Sequence, residues 1–114
     1  MEATEKIKDN VREALIELAD GFDKLASDIE DKALSEGPIT EEDIRRWIDR
    51  YRELVGEANR LKRLGIDFRT GIEMSLAEEV GMMHGAWGRA RRLIFEVLIA
   101  RAVAKGVCGN GKEL

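Results

Sequence analysis

Proline, cysteine and histidine each occur once in this chain of 114 residues, and no apolar run is long. A lone Cys108 cannot form an internal disulfide, and one His with one Cys cannot assemble a zinc site of those ligands within one chain. The longest apolar stretch, Leu93 to Ala100, is interrupted by Glu96 and falls short of the roughly 20 residues that span a bilayer, so no membrane partner is expected. Positive charge is not in excess either. Lys and Arg number 19 against 23 Asp and Glu, a net charge of -4, so the chain lacks the field that holds proteins on phosphate backbones and nucleic acid is not an expected partner. No phosphate-cradling Gly-rich loop is present. His84 and Ser75 lie in one helical pattern, too far apart to meet as base and nucleophile, so no catalytic pair can be named. The start Met1-Glu2-Ala3-Thr4-Glu5 has neither the basic residues nor the apolar core of a secretion signal, and with the single cysteine it predicts a cytoplasmic location.

What the chain has is 44% hydrophobic and 37% charged residues, a mixture that fills one core and coats its surface. One domain over residues 1–114 is expected. Val11, Leu15, Leu18, Phe22, Leu25 and Ile29 recur at alternating spacings of four and three, which lines one face of a long first helix over about residues 4–34. Such spacing suits lengthwise packing on another long helix, in this chain or in a partner copy. Gly37-Pro38 ends it. Thr40 then caps a second helix over about residues 41–64, with Asp43 reaching back in a capping box and Ile39 positioned to staple onto Ile44. This helix begins acidic at Glu41-Glu42-Asp43, ends basic at Arg60, Lys62 and Arg63, and meets Gly65, which is placed to take the left-handed conformation.

Thr70 with Glu73 offers another capping box for a third helix over about residues 70–84, carrying Ile72, Leu76, Val80 and Met83. Gly81, Gly85 and Gly88 cluster around Trp87, and each weakens a helix by about 1 kcal/mol relative to Ala, so a reversal is expected between Gly85 and Gly88. A fourth helix follows over about residues 89–105, with a frayed tail at 106–114. No strand alternation and no repeat appears. The fold class is all-α, a bundle of three or four helices.

The residues left to carry chemistry are carboxylates. Glu78 and Glu79 stand in the third helical pattern, and Glu96 stands among Leu93-Ile94-Phe95 and Val97-Leu98-Ile99, an apolar setting that predicts partial burial. If the last two helices fold back as a hairpin, the three acids converge as hard oxygen ligands of the kind magnesium takes. Solvent exposure is the common fate of adjacent acids such as Glu78 and Glu79, and an ion pair with Arg92 is the ordinary alternative for Glu96. Arg89, Arg91 and Arg92 suit either substrate phosphates or the acids and apolar surface of the bundle itself.

Leu76-Ala77-Glu78-Glu79-Val80-Gly81-Met82-Met83 resembles the metal-binding helix of the all-α nucleoside triphosphate pyrophosphohydrolases, the MazG-like superfamily, with its E-E-x-x-E pattern. That family's second motif, E-x-x-D before an apolar run, falls on Leu93-Ile94-Phe95-Glu96-Val97-Leu98-Ile99. The resemblance implies a MazG-like helical fold and a homodimer or tetramer with active sites near subunit contacts. It also implies Mg2+-dependent hydrolysis of a nucleotide between the α and β phosphates, giving a monophosphate and pyrophosphate. Carried over by position, Glu78, Glu79 and Glu96 are the metal ligands and Arg89 and Arg92 are candidates for the substrate phosphates. Met82 and Leu93 stand where two of the motif acids belong. A competing register uses Glu53 and Glu57 with Glu78. The alternative to the hydrolase is a non-catalytic helical adaptor that oligomerises through its first and last helices.

Overall fold

In the computed structural model, which describes residues 2–35, 37–65, 69 and 73–106, the chain is all-helical, and no strand occurs among the described residues. Among the described residues three long helices make the fold: α1 over Glu2–Leu34, α2 over Glu41–Arg63 and α3 over Ala77–Ala104. The molecule is elongated, 65 × 31 × 19 Å, as expected of helices that lie side by side at 1.5 Å rise per residue.

The apolar stripe of α1 forms the spine of the core. Leu15, Leu18, Phe22, Leu25 and Ile29 are all buried, Phe22 completely. Phe22 stacks on Trp87 of α3, with ring centroids 5.5 Å apart, and meets Tyr51 of α2 edge-on at 6.1 Å. One aromatic cluster therefore joins all three helices at mid-length. Aromatic pairs of this geometry contribute about 0.5–1.5 kcal/mol beyond the area they bury.

The start of α2 forms as its sequence directs. The Thr40 hydroxyl accepts from the Asp43 backbone N–H, and the Asp43 carboxylate accepts from the Thr40 N–H, both at 3.0 Å. At the far end Gly65 takes φ 89°, the left-handed conformation that a glycine reaches without strain. Leu64, the C-terminal cap residue of α2, is 71% exposed.

Ion pairs fix the directions of the helices. Arg12 of α1 meets Glu79 near the start of α3, while Arg89, further along α3, reaches Asp23 and Glu30 further along α1. The helices α1 and α3 are thus parallel and make the main packing pair. Arg101 and Lys105 at the end of α3 meet Glu41 at the start of α2, so α2 runs antiparallel to both. At Gly21, α1 and α2 approach so closely that a Cβ would stand 2.6 Å from Leu54 Cδ2.

The largest departure from the sequence expectation lies in α3. It is one unbroken helix of 28 residues with no reversal at Gly85 to Gly88, and residues 74–76 before it are not helical. It begins at Ala77 after Leu76, which gives no side-chain cap. Thr70 of the expected capping box, and the tail beyond Gly106, lie outside the described residues. Three glycines cost about 3 kcal/mol in propensity, and the packing of the opposite side outweighs that cost. Val80, Met83, Ala86, Ala90 and Ile94 are all buried against the bundle, and each large apolar side chain so buried contributes about 1.5–3 kcal/mol. The glycines occupy the outer side, where a Cβ on Gly81, Gly85 or Gly88 would meet nothing within 4 Å.

Candidate functional site on the third helix

Because α3 does not reverse, the acids singled out in the sequence do not converge within one chain. At 1.5 Å per residue, Glu79 and Glu96 lie about 26 Å apart along one axis. Glu79 is spoken for, since its carboxylate accepts from Arg12 Nε at 3.1 Å. Glu78 is exposed. Glu96 is exposed as well, contrary to the burial its neighbours suggested, because those neighbours face outward too: Phe95 is 52% and Ile99 59% exposed. The competing pair fares no better. Glu53 and Glu57 are exposed on α2, and Glu53 is paired with Arg50 at 3.2 Å. Among the described residues no group of three or more His, Cys, Asp or Glu is placed to hold a metal ion. Magnesium coordinated as the resemblance implies therefore does not fit a single chain.

The arginines divide in the same way. Arg89 donates to Glu30 and, at 3.4 Å, to Asp23. The Glu30 hydrogen bond is the main reason that its guanidinium holds its proton even more tightly than usual. It clamps α3 to α1. Arg92 is exposed and Arg91 lies over the Phe95 ring, its guanidinium carbon 5.7 Å from the centroid. His84 is exposed on α3, its ring stacked near that of Trp87 at 6.2 Å.

The structure instead presents one outward face of α3. Gly81, Gly85, Gly88, Arg92, Phe95, Ile99 and Val103 follow one another at spacings of three and four, so they share one side of the helix. This side is opposite the buried one. Its first half is smooth glycine backbone and its second half is bulky and apolar, with Phe95, Ile99 and Val103 each more than half exposed. Around the end of the helix lies an apolar groove of about 450 Å³, formed where Ile29 and Ala33 of α1, Ile39 just before α2, Ile44 of α2, and Leu93 and Val97 of α3 come together. Glu30, Glu41, Glu96, Arg101 and Lys105 also line it. Apolar surface concentrated in this way marks contact with another body more often than it marks nothing.

The spacing of this face is legible in the sequence, but reading the glycines as a break cuts it in two. No protein-family model, no curated protein and no solved structure matches this chain.

Proposed function

We propose that this chain is a helical self-association module that pairs with a second copy through the outer face of α3, and that it carries no chemistry as a single chain. The observation that carries this reading is the match between the two halves of that face. In an antiparallel pair related by a two-fold axis near Arg92, Val103, Ile99 and Phe95 of one copy lie opposite Gly81, Gly85 and Gly88 of the other. Each bulky side chain meets a position with no side chain, which is knob-and-hole packing in an isologous interface.

Charge does not oppose the arrangement. The two Arg92 side chains near the axis each have a Glu96 one turn away, on their own helix or the partner's. The strip from Gly81 to Val103 is about 33 Å long and roughly 10–12 Å wide by helix dimensions, or on the order of 400 Å² per copy. Standard interfaces cover about 800 Å² per partner, so a reversible, concentration-dependent dimer is expected rather than a permanent one.

Cross-linking tests the register. In a Cys108→Ser background, a mixture of Gly85→Cys and Ile99→Cys chains forms a disulfide between unlike chains on mild oxidation, and neither variant alone cross-links efficiently. Equal cross-linking of Ile99→Cys with itself would rule out the antiparallel register.

A second reading keeps the pyrophosphohydrolase. Glu78 and Glu96 are both exposed and lie about five full turns apart, hence on the same side of α3. An antiparallel pair centred near residue 87 instead of 92 would set Glu78 of one copy beside Glu96 of its partner, giving two carboxylate clusters per dimer. That reading requires Mg2+ to strengthen dimerisation and a nucleotide to release pyrophosphate. The self-association reading requires neither, and Glu78→Ala with Glu96→Ala separates them, since only the hydrolase loses its metal response.

A further inference from the structure

The apolar groove at the end of the bundle lies beside the outer face of α3 and is not part of the contact proposed above. Its walls are Ile29 and Ala33 of α1, Ile44 of α2, and Val97, Ala100 and Ala104 of α3. From Leu93 to Lys105 it follows α3 for about 18 Å, a little over three helical turns. Apolar side chains continue at its rim, where Ile39 is 37% exposed and Leu34, next after Ala33, is 86% exposed. Its volume of about 450 Å³ falls within the range of pockets that hold ligands.

The charges of the lining balance in sum but are separated in space. Glu30 is taken by Arg89. Glu41 serves two cations at once, Arg101 at 3.3 Å and Lys105 at 3.7 Å, so that end of the groove keeps one positive charge in surplus. Glu96 is exposed and has no ion-pair partner among the described residues, which leaves one negative charge in surplus nearer the other end. Along α3 the two surpluses stand about 7–14 Å apart.

These features restrict the occupant. Over most of the groove the backbone of α1 and α3 is paired within its own helix, so an extended chain would find no partners there for its N–H and C=O groups. A helix satisfies its own. On a helix, residues i and i+7 share one side about 10.5 Å apart, with i+3 and i+4 between them, which matches two opposite charges flanking an apolar trough.

We propose that the groove binds an amphipathic helix of another protein. One basic residue of that helix meets Glu96, an acidic residue seven positions away meets Arg101 and Lys105, and the apolar residues between them fill the groove. Helices docked in grooves are anchored at this spacing. The proposal holds whether or not two copies pair through the outer face of α3.

Three synthetic peptides of about 15 residues, long enough for an isolated helix to form, test it. In the first a lysine and a glutamate seven positions apart flank two leucines, in the second both flanking residues are glutamate, and in the third both are lysine. Each is titrated at constant salt into the ¹⁵N-labelled full-length chain, kept too dilute to pair. The mixed-charge peptide should move the amide resonances of Ala100 and Ala104 saturably and leave those of Gly85 and Gly88 in place. It should bind roughly fivefold more tightly than either like-charged peptide, the worth of one exposed ion pair. In Glu96→Lys the peptide with two glutamates should become the tightest. Ala100→Trp, a change at an exposed position that fills the groove, should bind none of them while keeping its helical content. No binding by any peptide, equal binding by all three, an order unchanged in Glu96→Lys, or undiminished binding to Ala100→Trp overturns the proposal. So does a movement of Ala100 and Ala104 larger than that of Gly85 and Gly88 when the protein alone is concentrated, because that result puts a second copy in the groove.

Discussion

The indole N–H of Trp87 on α3 donates to the hydroxyl of Tyr51 on α2 at 3.0 Å. With Phe22 stacked on the same indole, this bond fixes the rotation of α3 about its axis. Once Trp87 points inward, Gly81, Gly85, Phe95 and Ile99 must point away from the bundle. The outward face proposed as the dimer contact is therefore set by an inward contact on the opposite side.

Removing the acceptor tests that anchor. Tyr51→Phe leaves the ring in place and strands the Trp87 N–H, so the protein should lose about 1 kcal/mol of stability in urea unfolding. Trp87→Phe should cost more, because part of the stacking surface on Phe22 goes with the hydrogen bond. An unchanged midpoint in Tyr51→Phe would mean that water replaces the hydroxyl and that α3 is oriented by apolar packing alone.

Two glycine changes should act in opposite directions. At Gly85 a Cβ meets nothing within 4 Å, so Gly85→Ala gains helix propensity and stabilises the monomer by up to about 1 kcal/mol. Gly21→Ala brings a Cβ to 2.6 Å from Leu54 Cδ2, a side chain only 2% exposed. Overpacking there should cost about 1–3 kcal/mol, more than the propensity gained. Thermal melts at low protein concentration compare the two without interference from association. The stabilised Gly85→Ala should at the same time dimerise more weakly than the parent, a combination that a purely structural role for this glycine does not produce.

Acid should weaken the start of α2. The Thr40 backbone N–H is the main group holding the Asp43 carboxyl below its ordinary value, with the Thr40 hydroxyl, Arg46 and Lys32 adding to it against the opposing effect of burial. A carboxyl whose folded value is depressed gives stability that is fully present above its unfolded value of about 3.9 and is lost as pH falls through the folded value. Asp43→Asn should therefore be less stable than the parent at pH 7, and the difference should shrink as the pH falls below about 4. A difference constant from neutral to acid would show that the carboxylate charge is not what the cap uses.

The sequence stripe of α1, the Thr40 and Asp43 capping box and the left-handed Gly65 were legible because each is written within a few neighbouring residues and obeys local physics. The continuity of α3 was not. Gly81, Gly85 and Gly88 argue locally for a break, whereas the helix is held by Val80, Met83, Ala86 and Ile94 packing on a helix distant in sequence. The same tertiary dependence explains Glu96. Apolar neighbours in sequence suggested burial, but on a helix that is apolar on two sides only one side can face its own bundle. The other, with Phe95 and Ile99, faces out and takes Glu96 with it. Separating the acids by the length of α3 is the direct consequence.

Sedimentation equilibrium of the parent chain and of Ile99→Lys, across a wide concentration range, tests the central claim most directly. The parent should shift reversibly from monomer to dimer as concentration rises, while Ile99→Lys, altered at a side chain 59% exposed in the single chain, should keep its helical content and stay monomeric. A parent that remains monomeric at the highest concentrations, or an Ile99→Lys variant that dimerises as readily as the parent, would contradict pairing through the outer face of α3.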